Sequence, residues 1–297
     1  MPCYHPLKAF RSFSGVKVLP SDAVIFNLQL PCGKCIGCRL ERSRQWAIRC
    51  VHEIKLHDKN CFVTLTYDDA HLPDDLSLDH RHFQLFLKRL RKSLGYPVRY
   101  YMCGEYGEQY KRPHYHAILF GYEPDDLTVH SRTSSGNIIC GSSKLQSIWG
   151  LGFVSVGQAN FQTAAYCARY IMDKRTGADA QSYYSDVVDQ DTGEIFTRLP
   201  EYNRMSLKPG IGAGYYDRYH ASDMYPHDRV VYDGVEQKIP RYYDKLFARQ
   251  NPDKFLQIKE QRLLDIDARL HDNTPTRLNQ REQVKKVQLN QLKRNLL

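Results

Sequence analysis

Two histidines one residue apart, His114 and His116 in KRPHYHAILFG, are residue types that can grip a metal ion. Pro113 before them marks an entry point, because proline sits badly inside a helix or a central strand. The run that follows reads as a β-strand ending at Gly121, and successive side chains of a strand point to opposite faces. Both imidazoles therefore leave one face and Tyr115 the other. The preceding PVRYYMCGEYG reads as the partner strand of a hairpin across EYGEQYKRP, and its end supplies Glu105 and Glu108. Two imidazoles and a carboxylate with open coordination positions suit a divalent ion that must still bind substrate. Glu105 is the expected third ligand because it lies closer to the strand. The competing reading is that both glutamates are solvated turn charges.

A second group lies in AAYCARYIMDK, where Tyr166, Tyr170 and Lys174 follow at i, i+4 and i+8 along one helical face. A tyrosine stripe packed on a sheet would look the same. As chemistry, a phenol with an ordinary pKa of about 10 is a weak nucleophile at neutral pH and needs activation. A neighbouring ammonium stabilises a phenolate or the charge building on a phosphate. A third group is CGKCIGC, which sets Cys32, Cys35 and Cys38 at C-x-x-C-x-x-C spacing, with Cys3 and His5 upstream and Cys50 downstream. Structural zinc takes four ligands, so a fourth must come from elsewhere. Cys3 is preferred over His5 or Cys50. An iron–sulfur cluster or a set of free thiols opening a helix are the other readings.

CFVTLTYDD, RPHYHAILFG and YCARYIMDK, in that order, resemble the three motifs of the HUH endonucleases that initiate rolling-circle replication, with Tyr115 between the histidines. More narrowly, PCGKCIGCRLERSRQWAIRC and RMSLKPGIG resemble the replication initiators of gokushovirus-type microviruses, small single-stranded DNA phages. The resemblance runs to about Tyr219. It implies a metal site of His114, His116 and Glu105 for Mg²⁺ or Mn²⁺, paired catalytic tyrosines Tyr166 and Tyr170, and Lys174 one turn beyond. Thr64 and Thr66 fall in the first motif, which shapes the sheet beside the site. The implied reaction is attack of a tyrosyl oxygen on a scissile DNA phosphate, giving a 5′-phosphotyrosine and a free 3′-OH, then strand transfer. Origin DNA, host helicase and polymerase are the implied partners, and the host bacterial cytoplasm the implied location. The rivals are a non-catalytic single-stranded nucleic-acid-binding module and an HUH relaxase or transposase.

These residues need elements to hold them. A helix is expected from Arg39 to Lys59, a strand over Cys61–Asp69, and an amphipathic helix with Phe83, Phe86, Leu87, Leu90 and Leu94 at helical spacing, stopped by Gly95. The hairpin follows. Then come a Ser- and Gly-rich loop over 131–143, a strand GFVSVGQA and the tyrosine helix. The stretch 181–219 lacks periodicity and contains the Gly-rich SLKPGIGAGYY, which reads as a turn or as backbone approaching substrate. The order is α+β, and the family fold is a ferredoxin-like antiparallel sheet with helices packed on one face. The expected organisation is a Cys-rich segment and basic helix (1–60), an endonuclease core (61–220) and a helical extension (221–297).

Over 297 residues, 42 Lys and Arg against 33 Asp and Glu leave a net charge of +9, which favours a polyanionic partner. The basic helix and the KRLRK face (Lys88 to Lys92) are the expected phosphate-tracking surfaces. The 21 tyrosines offer stacking platforms for unpaired bases. No run is long and apolar enough to span a membrane, and the nine cysteines, several in core-like strings, suit a reducing compartment.

Overall fold

The strand NCFVTLTY is buried along nearly its whole length, so it needs a partner layer on each face. The computed structural model describes residues 3–12, 15–17, 26–107, 111–133, 136–173, 178–185, 187–188, 193–268 and 270–291. In chain order the elements are β1 (Leu7–Ser12), β2 (Gly15–Lys17), β3 (Phe26–Leu30), α1 (Ile36–Ile54), β4 (Asn60–Tyr67), α2 (His80–Leu94), β5 (Arg99–Tyr106) and β6 (Pro113–Phe120). Then follow β7 (Thr128–Arg132), β8 (Ile138–Gly141), α3 (Ser143–Trp149), β9 (Gly152–Gln158), α4 (Phe161–Asp173), α5 (Ala178–Ser185), β10 (Val187–Val188), β11 (Ile195–Phe196) and β12 (Tyr202–Met205). The chain ends through α6 (Ala213–Tyr219), a π-helical turn (His220–Met224), β13 (Val230–Tyr232), β14 (Val235–Gln237), α7 (Arg241–Gln250), α8 (Pro252–Asp267), a 3-10 turn (Leu270–Asn273) and α9 (Pro275–Gln291). Two compact units form, Met1–Arg44 with Asp244–Arg294, and Gln45–Tyr243 with 295–297.

The larger unit is α+β, built on a seven-stranded sheet in the order β12-β5-β6-β4-β9-β8-β7. All its pairings are antiparallel. With the β7–β8 hairpin inserted between β6 and α3, the run β4–α2–β5–β6–α3–β9 follows a β-α-β-β-α-β course, with β4 and β6 at the centre. One face of the sheet packs Val63, Leu65, Tyr115, Ala117 and Leu119 against Phe83, Phe86, Leu87 and Leu90 of α2 and Leu145 and Trp149 of α3. The other face packs Phe62, Tyr101, Cys103, Ile118 and Phe120 against Ala47 and Cys50 of α1 and Ala164, Cys167 and Ala168 of α4. Helices therefore cover both faces, not one as expected. Both phases of β4, β5 and β6 are largely buried, the α4 side carrying apolar residues together with Thr64, Thr66, Glu105, His114 and His116.

α2 runs as its periodicity predicts: Asp79 accepts from Arg81 N at its start, and Gly95, at φ 74°, closes it with a bond to Arg91 O. α1 begins at Ile36, before the expected Arg39, and stops at Ile54, before Lys59. The Asn60 amide takes the carbonyls of Ile54 and His57 at 3.2 and 3.0 Å, which ends the helix there. The expected Ser- and Gly-rich loop over 131–143 includes much of the β7–β8 hairpin.

The smaller unit carries a three-stranded sheet, β2-β1-β3, and the helices α8 and α9. β1 and β3 run antiparallel with Leu7 opposite Leu30, so the residues before β1 and after β3 emerge side by side. No helix among the described residues is long and apolar enough to cross a membrane.

Candidate active site and metal centres

β6 holds His114 and His116 on one face because alternation does, and its neighbours decide what they meet. Glu105 of β5 lies directly across from His114, while Thr66 and Thr64 of β4 lie across from His114 and His116. The His116 ring is buried and held at both nitrogens: Nε2 pairs with Glu105 Oε1 at 2.6 Å and Nδ1 with Thr64 Oγ1 at 2.9 Å. A hydroxyl both donates and accepts. Thr64 therefore serves either tautomer of His116, including the one that frees Nε2 for a metal.

His114 Nδ1 lies 2.7 Å from the Arg112 carbonyl, and a carbonyl only accepts. Nδ1 thus carries the proton and Nε2 presents its lone pair, the arrangement that orients metal-binding histidines. Burial holds the His114 pKa below the usual histidine range, against an upward push from the Arg112 carbonyl and alongside a downward one from His116. Gly107 lets the ring sit this close, since a Cβ there would lie 3.1 Å from His114 Cε1. Arg112 in turn reaches the Tyr67 carbonyl at 3.1 Å and Asp69 at 2.5 Å, tying the entry of β6 to the acidic end of β4.

The nucleophile candidate arrives from above. Asn160 and Thr163 cap α4 reciprocally, Thr163 N donating to Asn160 Oδ1 and Asn160 N to Thr163 Oγ1, both at 2.9 Å. Small residues, Ala164, Cys167 and Ala168, let this helix settle closely on the sheet. Asn203 of β12 pins it by donating to the Cys167 carbonyl and the Tyr101 hydroxyl, each at 2.8 Å. Tyr166 then stands edge-on to His116 (centroids 5.1 Å apart, 88°) and to Phe62 (6.2 Å, 87°). Its hydroxyl donates to Glu105 Oε1 at 3.4 Å. Phe62 and His116 are parallel, 5.7 Å apart.

The residues suit a divalent cation. Glu105 Oε2 is buried with no hydrogen-bond partner, which is costly for a carboxylate that has nothing to coordinate. The set is open, with the His114 and His116 rings 6.4 Å apart and nearly parallel. Tyr170 lies one turn beyond Tyr166 on α4. Lys174 and Glu108 lie outside the described residues.

The cysteine cluster is tighter. The Sγ atoms of Cys3, Cys32, Cys35 and Cys38 all lie within 4.8 Å of one another. The β1–β3 pairing brings Cys3 to Cys32, and Cys35 and Cys38 sit at the opening of α1. Backbone N–H groups point at the sulfurs: Cys32 N to Cys3 at 3.2 Å, Cys35 N to Cys32 at 3.3 Å and Tyr4 N to Cys35 at 3.3 Å. Burial pushes the Cys35 thiol up, but donation from backbone N–H groups, including that of Tyr4, outweighs it and brings the pKa to about 6. Four thiols so arranged can hold a metal such as zinc. His5 instead pairs with Glu282 at 2.8 Å, and Cys50 is buried in the apolar face under α1.

Several expected surfaces have structural work. Arg49 is buried between Trp46 and Tyr242, 4.0 and 3.9 Å from their ring centroids, and donates to the Ile211 carbonyl. Arg89 and Arg91 of the KRLRK face hold the carbonyls of Ile148, Trp149 and Val98. The Gly-rich SLKPGIGAGYY docks inward. Gly212 N donates to Glu53 at 2.7 Å, and Cβ atoms at Gly210 and Gly212 would collide with the hydroxyls of Tyr242 and Tyr243. Sequence reading missed Glu201. It lies just before β12, is buried, and accepts from the Tyr184 hydroxyl at 2.5 Å. LPEYN carries no pattern that would single it out.

The chain is similar to known proteins along most of its length. Residues 60–175 match the family described as Replication-associated protein ORF2/G2P, a span holding β4, β6 and α4. The chain is 32% identical to the replication-associated protein VP4 of Bdellovibrio phage phiMH2K over 91% of its own length and 86% of the relative's. It is 32% identical to the replication-associated protein ORF2 of Spiroplasma virus 4, covering 88% and 86%, and 29% identical to ORF4 of Chlamydia phage 1, covering 75% and 55%. No solved structure matches. The chain belongs to the family of microvirus-type phage replication-associated proteins.

Proposed function

We propose that this protein initiates rolling-circle replication by nicking single-stranded origin DNA through a tyrosine nucleophile and later rejoining the strand. The observation that carries the reading is Tyr166. Its hydroxyl reaches Glu105 Oε1 at 3.4 Å while its ring abuts His116, so nucleophile and electrophile-activating groups share one sheet face. His114, His116 and Glu105 would hold Mg²⁺ or Mn²⁺, the two imidazoles suiting Mn²⁺ better. Such an ion supplies charge stabilisation to a phosphate oxygen.

Tyr166 or Tyr170 oxygen forms a bond to the scissile phosphorus and the bond from phosphorus to O3′ breaks. The phenolic proton has an acceptor at hand in Glu105 Oε1, and the departing O3′ takes up a proton to become the 3′-OH primer. Lys174 would offset charge on the phosphate or the phenolate. The phosphotyrosine keeps the ester energy, so attack by a 3′-OH reseals the strand without ATP, with the other tyrosine cutting the completed unit. Host polymerase and helicase would extend the primer, in the host bacterial cytoplasm. In the smaller unit Cys3, Cys32, Cys35 and Cys38 would hold a structural Zn²⁺.

The test is incubation with a labelled single-stranded origin oligonucleotide and Mn²⁺, followed by denaturing electrophoresis. The expected result is a covalent protein–DNA adduct that survives denaturation and is lost in the Tyr166→Phe, Tyr170→Phe double variant. An adduct that persists in the double variant refutes the mechanism. Binding without any adduct would favour a non-catalytic nucleic-acid-binding module.

A further inference from the structure

The positive charge of this chain is gathered in one of its two units. In the smaller unit, residues 1–44 with 244–294, Lys and Arg outnumber Asp and Glu by 19 to 9. In the larger unit, which holds the histidines and tyrosines of the proposed nuclease site, the count is 23 against 24. The larger unit is thus close to neutral, and long-range attraction for a polyanion belongs to the other one. We propose that the smaller unit is a second DNA-binding surface, built around the four-cysteine cluster and holding the phosphate backbone without reading its sequence. The proposal rests on DNA being the substrate and not on which residue cuts it.

The surplus lies in two stretches, residues 1–44 and 268–294, each with seven basic residues against two acidic ones. The cysteine cluster joins them: Leu278 of α9 packs against Tyr4 and Cys35, and Glu282 pairs with His5. Arg39 N donates to the Cys35 carbonyl, so Cys35 opens α1. Cys35, Cys38, Arg39 and Arg42 then stand at i, i+3, i+4 and i+7 along α1. Leu278, Arg281, Glu282 and Lys285 take the same spacing along α9. On each helix a stripe that begins at the cluster continues as basic side chains. The acidic residues described in these stretches are occupied, Glu41 by Arg44, Asp272 by Arg277 and Arg281, and Glu282 by His5 and Lys286. Lys34 and Arg42 are exposed and have no acidic partner among the described residues. Lys285 donates to the neutral Gln288 at 3.3 Å. The fold gives no reason for cations at the start of α1, whose first turn holds no acidic residue, because they oppose the helix dipole. Four thiolates on a divalent ion would carry a net charge of about two minus, which offsets only part of the surplus. Exposed cations without counter-charges, in a replication-associated chain, fit phosphate groups, which fix DNA in place without specifying sequence.

The test uses the full chain without Mn²⁺, so that binding is measured apart from cleavage, and without chelator, so that the cysteine site is left alone. Fluorescence anisotropy follows a labelled origin oligonucleotide, single-stranded or duplex, as salt is raised from about 0.1 M to about 1 M. Each phosphate neutralised contributes about 0.7 to the slope of log K against log salt on a single strand and about 0.9 on a duplex. One chain carrying Lys34→Gln, Arg42→Gln and Lys285→Gln should therefore flatten the slope by about 2 on a single strand or about 3 on a duplex. At the low-salt end that is a loss of affinity of about a hundredfold or more. The strand form that shows the change is the form this surface holds. Lys88→Gln, Lys92→Gln and Lys144→Gln together remove three charges from exposed positions in the larger unit and should leave the slope near the wild-type value. Equal flattening by the two triple variants overturns the proposal, as does a folded first variant with the wild-type slope. A wild-type slope no steeper than about 1 overturns it without any variant. Displacement of the DNA by polyglutamate as readily as by unlabelled DNA would point to an acidic protein partner and overturn it too. Adduct formation with Mn²⁺ at saturating protein is scored separately. Its absence in the wild type counts against the nicking function alone, whereas adduct formed by both triple variants with an unchanged salt slope counts against the docking surface alone.

Discussion

Thr64→Val is the sharpest probe of the proposed active site, because it removes one hydrogen bond and little else. Valine keeps the shape and the strand preference of threonine, so the pairing of β4 with β6 and β9 is retained. What goes is the 2.9 Å contact from Thr64 Oγ1 to Nδ1 of His116, a ring wholly inside the protein. A buried polar group left unpaired costs about 1–3 kcal/mol. Losing a hydrogen bond that orients a metal ligand lowers metal affinity by about 10–100-fold, which at about 1.4 kcal/mol per decade is the same range. Isothermal titration of Mn²⁺ into wild type and variant reads the change directly. Adduct formation should then need correspondingly more Mn²⁺ and recover at saturation. Thr66→Val is the control: it lies across from His114, whose Nδ1 is held by the Arg112 carbonyl. If Thr64→Val binds Mn²⁺ as wild type does, or if Thr66→Val matches its loss, the assignment of Thr64 as the support of His116 is refuted.

Other outcomes follow from groups outside that pair. His52 is buried against Tyr215 and Tyr243, its Nδ1 3.0 Å from the Tyr243 hydroxyl; burial, with a smaller push from Lys55, lowers its pKa to about 3. Its folded pKa lies below the unfolded value of about 6.5, so the unfolded chain binds the extra proton and stability falls as pH drops below that value. Between about pH 7 and pH 5, urea unfolding should show the wild type losing about 2 kcal/mol more than His52→Gln does. Gly212→Ala should lower the melting temperature by at least about 5 °C, because a left-handed residue costs about 1–2 kcal/mol before overpacking is added. There φ is 81°, and the new methyl would press on Tyr243 and lie 3.1 Å from the Arg49 carbonyl. Elemental analysis should find one zinc per wild-type chain and none in Cys38→Ser, with chelator melting the wild type early; zinc retained by Cys38→Ser would remove the four-thiol site.

The elements nearest in sequence were the most legible. Period-2 alternation puts His114 and His116 on one face, and the Phe83–Leu90 stripe with Gly95 after it describes α2 almost to the residue, because these rules act within a few residues of chain. The hairpin pairing that sets Glu105 against His114 was readable for the same reason. The helices on the second face of the sheet were not, since an apolar strand run does not say how many layers will cover it.

By itself, the sequence determined the candidate ligand types, the same-face histidines, the i, i+4 tyrosines and three of the four clustered thiols. Tertiary structure decided what distance along the chain conceals. The β1–β3 pairing brings Cys3, rather than His5 or Cys50, to the other thiols. The β4–β6 register gives His116 its Thr64 support, and the small face of α4 brings Tyr166 down to Glu105. It also turned SLKPGIGAGYY inward, where the glycines of the loop make room for tyrosine hydroxyls rather than for substrate. Contacts of this kind depend on which surfaces meet once apolar faces are buried, and no local spacing encodes that.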